Sequence, residues 1–284
     1  MRPDGTPAPA VFPESPEYRP QAPRSLRLRW LAALCCLLAA APAFAGTCVP
    51  SHLDVRAHVD YVYDGDTVRL DDGRHVRFIG IDTPEIGHHG RPSQPFAVQA
   101  RKALIHLLDA HGNRVELAFG QEHFDKYHRV LAHVYVDGRR SVEARLLERG
   151  LATVLIVPPN VAHAACYEAA EQDARHRRRG IWDHPKYRVT PVQDLPGDAR
   201  GYHIISGRVT RVAHSAHAVW VHLGPRVELR VDKRDLPYLK PVDPDALLHR
   251  QVIARGWLHR HRRGGLWMRV RHHSALRPVP PGAD

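Results

Sequence analysis

Between Val55 and Tyr63 apolar residues are frequent, and Asp64-Gly65-Asp66 then marks a turn before a second strand-like run, Thr67 to Leu70. Another turn signal, Asp71-Asp72-Gly73, leads into Val76 to Ile81, so three short strands are predicted in succession. The period then lengthens. Ser93 and Pro95 open a stretch in which Phe96, Ala100, Ala103, Leu104, Leu107 and Leu108 recur at helical spacing, closed by Gly112. Two more strand-like runs follow, Val115 to Phe119 and Val130 to Val136, the second ended by Asp137-Gly138. Ser141 opens a helix with Ala144, Leu147 and Leu151 on one side, and residues 164–179 read as a further helix ending in the basic run Arg175 to Arg179. The order β-β-β-α-β-β with trailing helices is that of a five-stranded Greek-key barrel of the OB type, a mainly β fold with α (α+β).

Residues 184–200, with Pro185, Pro191, Pro196 and Gly197, read as a linker. Beyond it the strand pattern returns at 204–213, 218–223, 227–232, 251–258 and 266–271, with a helix-like stretch from Asp243 to His249 between the third and fourth runs. The same order predicts a second, smaller OB-like barrel over 201–277, followed by a short tail, 278–284.

The 284 residues carry a formal charge of +11, which favours acidic partners. Its distribution says more. Residues 46–199 hold 20 Lys+Arg against 21 Asp+Glu, whereas residues 200–284 hold 16 against 6 and nine of the 22 histidines. One region is acidic enough to hold a cation and another basic enough to hold a polyanion. In the latter, Arg260, Arg262, Arg263, Arg269 and Arg271 are interleaved with Trp257 and Trp267. Two readings stand: a surface on which cations track phosphates while aromatics stack on bases, or core tryptophans beside a solvated basic face. The Arg175–Arg179 run reads as a solvated helix end placed favourably against the helix dipole.

At the amino terminus Arg24, Arg27 and Arg29 precede an apolar run from Trp30 to Phe44, and Ala43-Phe44-Ala45 has the small-x-small pattern of a signal-peptide cleavage site. A run of 15 is short for a membrane span. The expectation is a secreted or periplasmic protein cleaved after Ala45, with a retained anchor as the alternative. Cys35 and Cys36 would leave with the signal. Cys48 and Cys166 remain, either as one disulfide or as two buried thiols.

Hydrolysing a phosphodiester near neutral pH calls for cations to neutralise the developing charge and a base to take a proton from water. Asp66 follows the first predicted strand at a hairpin turn, and Asp82 and Glu85 frame Thr83-Pro84 at the end of the third. Neighbouring strands of one barrel bring such acids to one rim. Arg77 lies five residues before Asp82, so strict alternation puts the two on opposite faces unless the chain bends, and Gly80 is the place for that bend. Asp125-Lys126-Tyr127-His128-Arg129 precedes the fifth strand and offers donors to phosphate oxygens. His88, His89 and His123 read as solvated loop side chains.

Taken together, Tyr63-Asp64-Gly65-Asp66-Thr67, Arg77, Ile81-Asp82-Thr83-Pro84-Glu85, Asp125-Lys126-Tyr127-His128-Arg129, Glu148-Arg149-Gly150-Leu151-Ala152 and Gly180-Ile181-Trp182 resemble the thermonuclease family typified by staphylococcal nuclease, over about residues 55–183. The resemblance implies Ca²⁺, or less readily Mg²⁺, held by Asp66, Asp82 and the carbonyl of Thr83. It implies Glu85 as general base, Arg77 and Arg129 stabilising the trigonal-bipyramidal phosphate, and Lys126 and Tyr127 on a flanking phosphate. It also implies DNA and RNA as substrates, cleaved to 3′-phosphates; a monomer is expected. The sequence departs from the prototype at His128, which stands in place of glycine, and at Leu155-Ile156-Val157, which replaces a stretch presenting tyrosines. The alternative is a catalytically silent nucleic-acid-binding barrel.

Overall fold

The computed structural model describes residues 48–261 and 264–280. The signal segment, its cleavage position after Ala45, Arg262, Arg263 and residues 281–284 lie outside the described residues.

The first barrel is built from β1 (Val55–Val62), β2 (Thr67–Leu70), β3 (His75–Phe78), β4 (Gly80–Asp82), α1 (Ala97–Asp109), β5 (Arg114–Phe124), β6 (Val130–Val136), β7 (Arg140–Ser141), α2 (Val142–Glu148), β8 (Thr153–Leu155) and α3 (Ala164–His176). Strands run in the order β3-β2-β1-β5-β6, and a parallel pairing of β3 with β6, Val76 opposite Val130 and Phe78 opposite Ala132, closes them into a barrel. Inward positions are apolar: Val68 and Leu70, Val76 and Phe78, Val115 and Leu117 are all buried. The apolar stripe of α1, Ala100, Leu104 and Leu108, covers one end, where each fully buried leucine contributes about 1.5–3 kcal/mol. The α2 helix is capped by the Ser141 hydroxyl, which accepts from the Ala144 amide at 3.2 Å. A disulfide between Cys48 and Cys166 ties the start of the described chain to α3.

Three local expectations change. The predicted strand 76–81 is broken at Gly80 into β3 and β4, because Gly80 has φ +86° and the ring of Tyr167 fills the space a Cβ would take. The first helix begins at Ala97, not at Ser93; Ser93 instead accepts from the Gly87 amide, and Phe96 enters the helix at φ 71°. The stretch from Asp243 to His249 forms only a 3₁₀ turn, Asp245–Leu247. Pro244 removes an amide donor at the start of this segment, and the Leu248 backbone turns extended after Leu247 (φ −52°, ψ 130°), which ends the turn.

Residues 184–200, read as a linker, are packed. They carry 3₁₀ turns and β9 (Val189–Pro191), which pairs in parallel with β10 (Gly201–His214). With β11 (Ala218–Leu223), β12 (Val227–Asp232), β13 (Gln251–Arg260), β14 (Leu266–Arg269) and β15 (Leu276–Pro278), β10 makes the second sheet. Its order, β13-β14-β12-β11-β10 closed by β10 on β13 with β12 parallel to β14, repeats the topology of the first barrel.

The two barrels share an interface. Ile181, Tyr187, Tyr202 and Ile204 form an apolar cluster against which Trp182 and Trp257 pack. Arg255 on β13 donates to the buried carboxylate of Glu171 on α3, whose other oxygen accepts from the Val154 amide at 2.8 Å. A buried pair of this kind is costly to break from one side, because the remaining charge has no partner. Trp257 and Trp267 therefore belong to neither simple reading. Both point away from the barrel core formed by Leu258, Leu266 and Met268; Trp257 packs at the interface, and Trp267 stacks on exposed His259 at 4.7 Å.

Candidate active site

The β1–β2 turn sets the first acid. Asp64 accepts from the Asp66 amide at 2.9 Å, which curls the chain so that Asp66 points inward. Gly65 permits this, since a Cβ there would lie 2.7 Å from Thr83 Cγ2 and 2.9 Å from Ala100 Cβ. Asp66 is only 4% exposed, and its Oδ2 accepts from both the amide and the hydroxyl of Thr83, at 2.7 and 3.0 Å. The turn between β1 and β2 is thereby fastened to the segment after β4.

Arg77 and Asp82 meet because of the bend at Gly80. The Arg77 guanidinium donates through Nη2 to Asp82 Oδ1 at 3.0 Å, through Nη1 to the carbonyls of Phe78 and Ile81 at 2.7 and 2.9 Å, and its Nε lies 3.3 Å from Asp66 Oδ1. It spans the two carboxylates, with one Nη2 N–H left over. Burial opposes its charge, but Asp66, Asp82, Asp64 and Glu85 outweigh this and raise its pKa further.

The acids are crowded. Burial, opposed by Arg77 and reinforced by Asp66 and Glu85, pushes the Asp82 carboxyl up to about 7. Burial and Asp66 push Asp64 up to about 7 as well. Glu85, on the exposed side of the group, is raised by partial burial and by Asp66, against the pull of Arg77 and Arg129. Four carboxylates facing one buried guanidinium leave a deficit of positive charge, and this deficit is what the raised carboxyls express.

Arg129 comes from the turn between β5 and β6. Asp125 organises it, accepting from the amides of Tyr127 and Arg129 at 2.8 and 3.0 Å and from Arg129 Nε at 2.7 Å. Burial works against the Asp125 charge, yet these donors hold its pKa below the ordinary value. His128 sits at φ 61°, in the left-handed region that glycine adopts most readily. Arg129 keeps its place in the cluster, and its charge is felt at Glu85. Tyr127 is 67% exposed, with Lys126 Nζ 4.8 Å from its ring centroid. Lys126, Arg77 and Arg129 share a cavity of about 310 Å³ whose walls include Leu155 and Val157, while Ile156 turns into the core. The aliphatic segment thus lines the cleft with two of its three side chains.

Over residues 75–184 the chain matches the family model described as staphylococcal nuclease homologue. It is 36% identical over 141 residues to the thermonuclease of Staphylococcus intermedius, covering 47% of this chain and 81% of that protein. The chain belongs to the staphylococcal nuclease family. The endonuclease YncB of Bacillus subtilis (strain 168) is 35% identical over 137 residues, 47% of this chain and 64% of its own length. A probable endonuclease lcl3 of Pyrenophora tritici-repentis (strain Pt-1C-BFP) is 38% identical over 120 residues, 40% of this chain and 43% of that protein. The protein is accordingly a nuclease built on a staphylococcal nuclease-like barrel, with a second barrel joined to it.

The fold places beside this nuclease site several residues that strand periodicity did not single out. Asp64 is read from sequence only as part of a turn, yet it titrates with the cluster. Trp257 of the second barrel lies near enough to Asp82 to favour its charged form slightly, and Lys186 lies near enough for Asp82 to oppose the burial that lowers its pKa. Arg271, also from the second barrel, lines the same cavity as Arg77 and Arg129 while donating to the Pro158 carbonyl at 3.0 Å and pairing with Asp235 at 3.1 Å. Arg269 is bound by Asp232 and Asp235. Of the basic residues expected to track phosphates, these two are partly neutralised within the barrel, and Arg260 is exposed. His88 and His89 are exposed in a loop, whereas His123, read from sequence as a loop residue, is exposed on β5, whose pairing extends to Phe124.

Proposed function

We propose that this protein is an exported, Ca²⁺-dependent nuclease that hydrolyses DNA and RNA to products bearing 3′-phosphates, with Glu85 as general base and Arg77 and Arg129 stabilising the charge that develops on phosphorus. The observation that carries the reading is the single cluster in which Asp66, Asp82 and Glu85 face Arg77, with Arg129 across the same cleft. A catalytically silent binding barrel has no use for a carboxylate beside the bound phosphate.

The donor set fits a hard divalent cation. Asp66 and Asp82 stand close enough to share one guanidinium, and Asp64, Asp82 and Glu85 are all raised in a way that an added cation reverses. Asp66, Asp82 and the Thr83 carbonyl would hold the ion, as the family resemblance implies, with waters completing a coordination that suits Ca²⁺ better than the stricter octahedron of Mg²⁺. When bound, the ion supplies positive charge against the phosphate oxygens. The remaining work belongs to the chain. Glu85, the exposed carboxylate of the cluster, is open to a water molecule and would take its proton. Arg77 offers its spare N–H, and Arg129, fixed through Nε by Asp125, presents its two Nη groups to the phosphate. Lys126 and Tyr127, at the exposed lip, are placed to meet a flanking phosphate. Export is supported by the amino-terminal pattern ending at Ala45 and by a disulfide of the kind that persists in oxidising compartments.

The test is cleavage of denatured DNA and of RNA by the purified protein, with Ca²⁺ or with chelator, comparing wild type and Glu85→Gln. Loss of a general base predicts a fall in kcat of about 10²–10⁴-fold, with DNA binding retained and product ends carrying 3′-phosphate. A Glu85→Gln rate within a few-fold of wild type, or cleavage indifferent to chelator, sinks the mechanism.

A further inference from the structure

A second cluster of metal-ligating side chains lies away from the nuclease cleft, where the barrels meet. Glu168 projects from α3 of the first barrel, and His272 and His273 follow β14 of the second; one ligand atom from each lies within 4.8 Å of the other two. We infer that these three side chains form a zinc site that staples α3 to the second barrel.

The observations converge on an ion. Glu168 Oε1 is buried without a hydrogen-bond partner, an expensive condition for a carboxylate oxygen unless a cation meets it. The basic group facing it from the second barrel, Arg255, is already committed: Nη1 donates to Glu171 and Nε to the Ser274 carbonyl at 2.8 Å. No ion pair within 4.0 Å joins Glu168 to either histidine among the described residues, although His273 and Arg255 act on its charge from farther away. His272 is buried, and its ring packs against that of His273 with centroids 4.0 Å apart. Its Nδ1 accepts from the Ser274 amide at 3.2 Å and lies 3.0 Å from Ser274 Oγ; ligation through Nε2 moves the ring proton to Nδ1, where Ser274 Oγ accepts it in place of the amide bond.

Two imidazoles and a carboxylate are the donor set of a zinc site with an open fourth position, and they discriminate against Ca²⁺ and Mg²⁺, which take oxygen ligands. Ligand bonds of about 2.0–2.2 Å place donors around a tetrahedral ion roughly 3.4 Å apart. The side chains must therefore close by up to about 1.4 Å, within the reach of rotamer adjustments. The ion would join elements more than 100 residues apart in sequence, Glu168 to His272.

Equilibrium dialysis of the purified, chelator-stripped protein against Zn²⁺, in the presence of excess Ca²⁺ to saturate the carboxylate site, is expected to show one Zn²⁺ per chain, accompanied by a higher Tm. Glu168→Gln and His273→Ala, both at half-exposed positions, are expected to weaken Zn²⁺ binding at least tenfold and to abolish the Zn²⁺-induced Tm shift. Their melting in chelator should stay close to that of wild type, and Asp82→Asn should bind Zn²⁺ normally. Replacing Zn²⁺ by Co²⁺ should give the intense visible bands of a tetrahedral site in wild type and Asp82→Asn but not in His273→Ala. The inference fails if no stoichiometric Zn²⁺ is retained, if His273→Ala binds as wild type does, or if Asp82→Asn and not His273→Ala removes the binding.

Discussion

Replacing Asp82 with asparagine should stabilise the metal-free nuclease while removing its response to Ca²⁺. The Asp82 carboxyl is raised from an ordinary 3.8 to about 7, chiefly by burial. Between those values the folded state holds a proton that the unfolded chain releases, so folding stability falls as pH rises from about 4 to 7. At 1.36 kcal/mol per pKa unit, the penalty at and above pH 7 is about 4 kcal/mol. An amide of the same shape carries no such penalty and keeps Oδ1 as acceptor for Arg77 Nη2. Allowing for relaxation of Asp64 and Glu85 in the wild type, the gain should be about 2–4 kcal/mol at pH 7.5, or a Tm higher by roughly 5–12 °C. It should shrink to about two-fifths at pH 5 and nearly vanish by pH 4. The measurement is thermal unfolding of both proteins across this pH range in chelator, repeated with Ca²⁺. With the ion present the order should narrow or invert, because wild type alone gains the binding free energy. A variant less stable than wild type at pH 7.5 in chelator, or a gain that does not change with pH, would refute the account of a carboxylate cluster held short of positive charge.

Other perturbations test the scaffold. Gly80→Ala puts a Cβ 2.5 Å from the Tyr167 ring at φ +86°, and denaturant unfolding should show a loss of roughly 2–5 kcal/mol, with activity falling further because the bend that joins Arg77 to Asp82 is disturbed. Cys166→Ser opens a cross-link spanning 118 residues and should cost about 2–4 kcal/mol; a reductant should destabilise wild type similarly and leave the variant unchanged. Arg271→Gln removes a cation from the cleft wall without touching the cluster of acids, so the plot of log(kcat/KM) against log salt concentration should flatten by about 0.7. An unchanged slope would show that the second barrel does not meet the substrate there.

The predicted strands of both barrels appear nearly where periodicity puts them, β11 and β12 with the same end residues, because inward and outward side chains alternate cleanly around closed sheets. Asp66, Asp82, Glu85, Arg77 and Arg129 were legible for a different reason: charged residues at turns and strand ends stand out against that alternation, and their order along the chain matches a known family. The break at Gly80 was legible as a geometric requirement.

The chain by itself thus determined the two barrels, the five residues of the cluster and the segregation of positive charge into the second half. Only the tertiary structure decided what that charge does. Arg255, Arg269 and Arg271 satisfy Glu171, Asp232 and Asp235, so a basic count became in part an internal ion-pair network. It also turned the expected linker into a packed segment, brought Trp257 onto Asp82 and set Arg271 at the rim of the cleft. The physical reason is common to all of these. Periodicity records which face of its own element a side chain occupies, whereas charge neutralisation, burial and pKa depend on distances between elements far apart in sequence, and those distances exist only after the two barrels have packed.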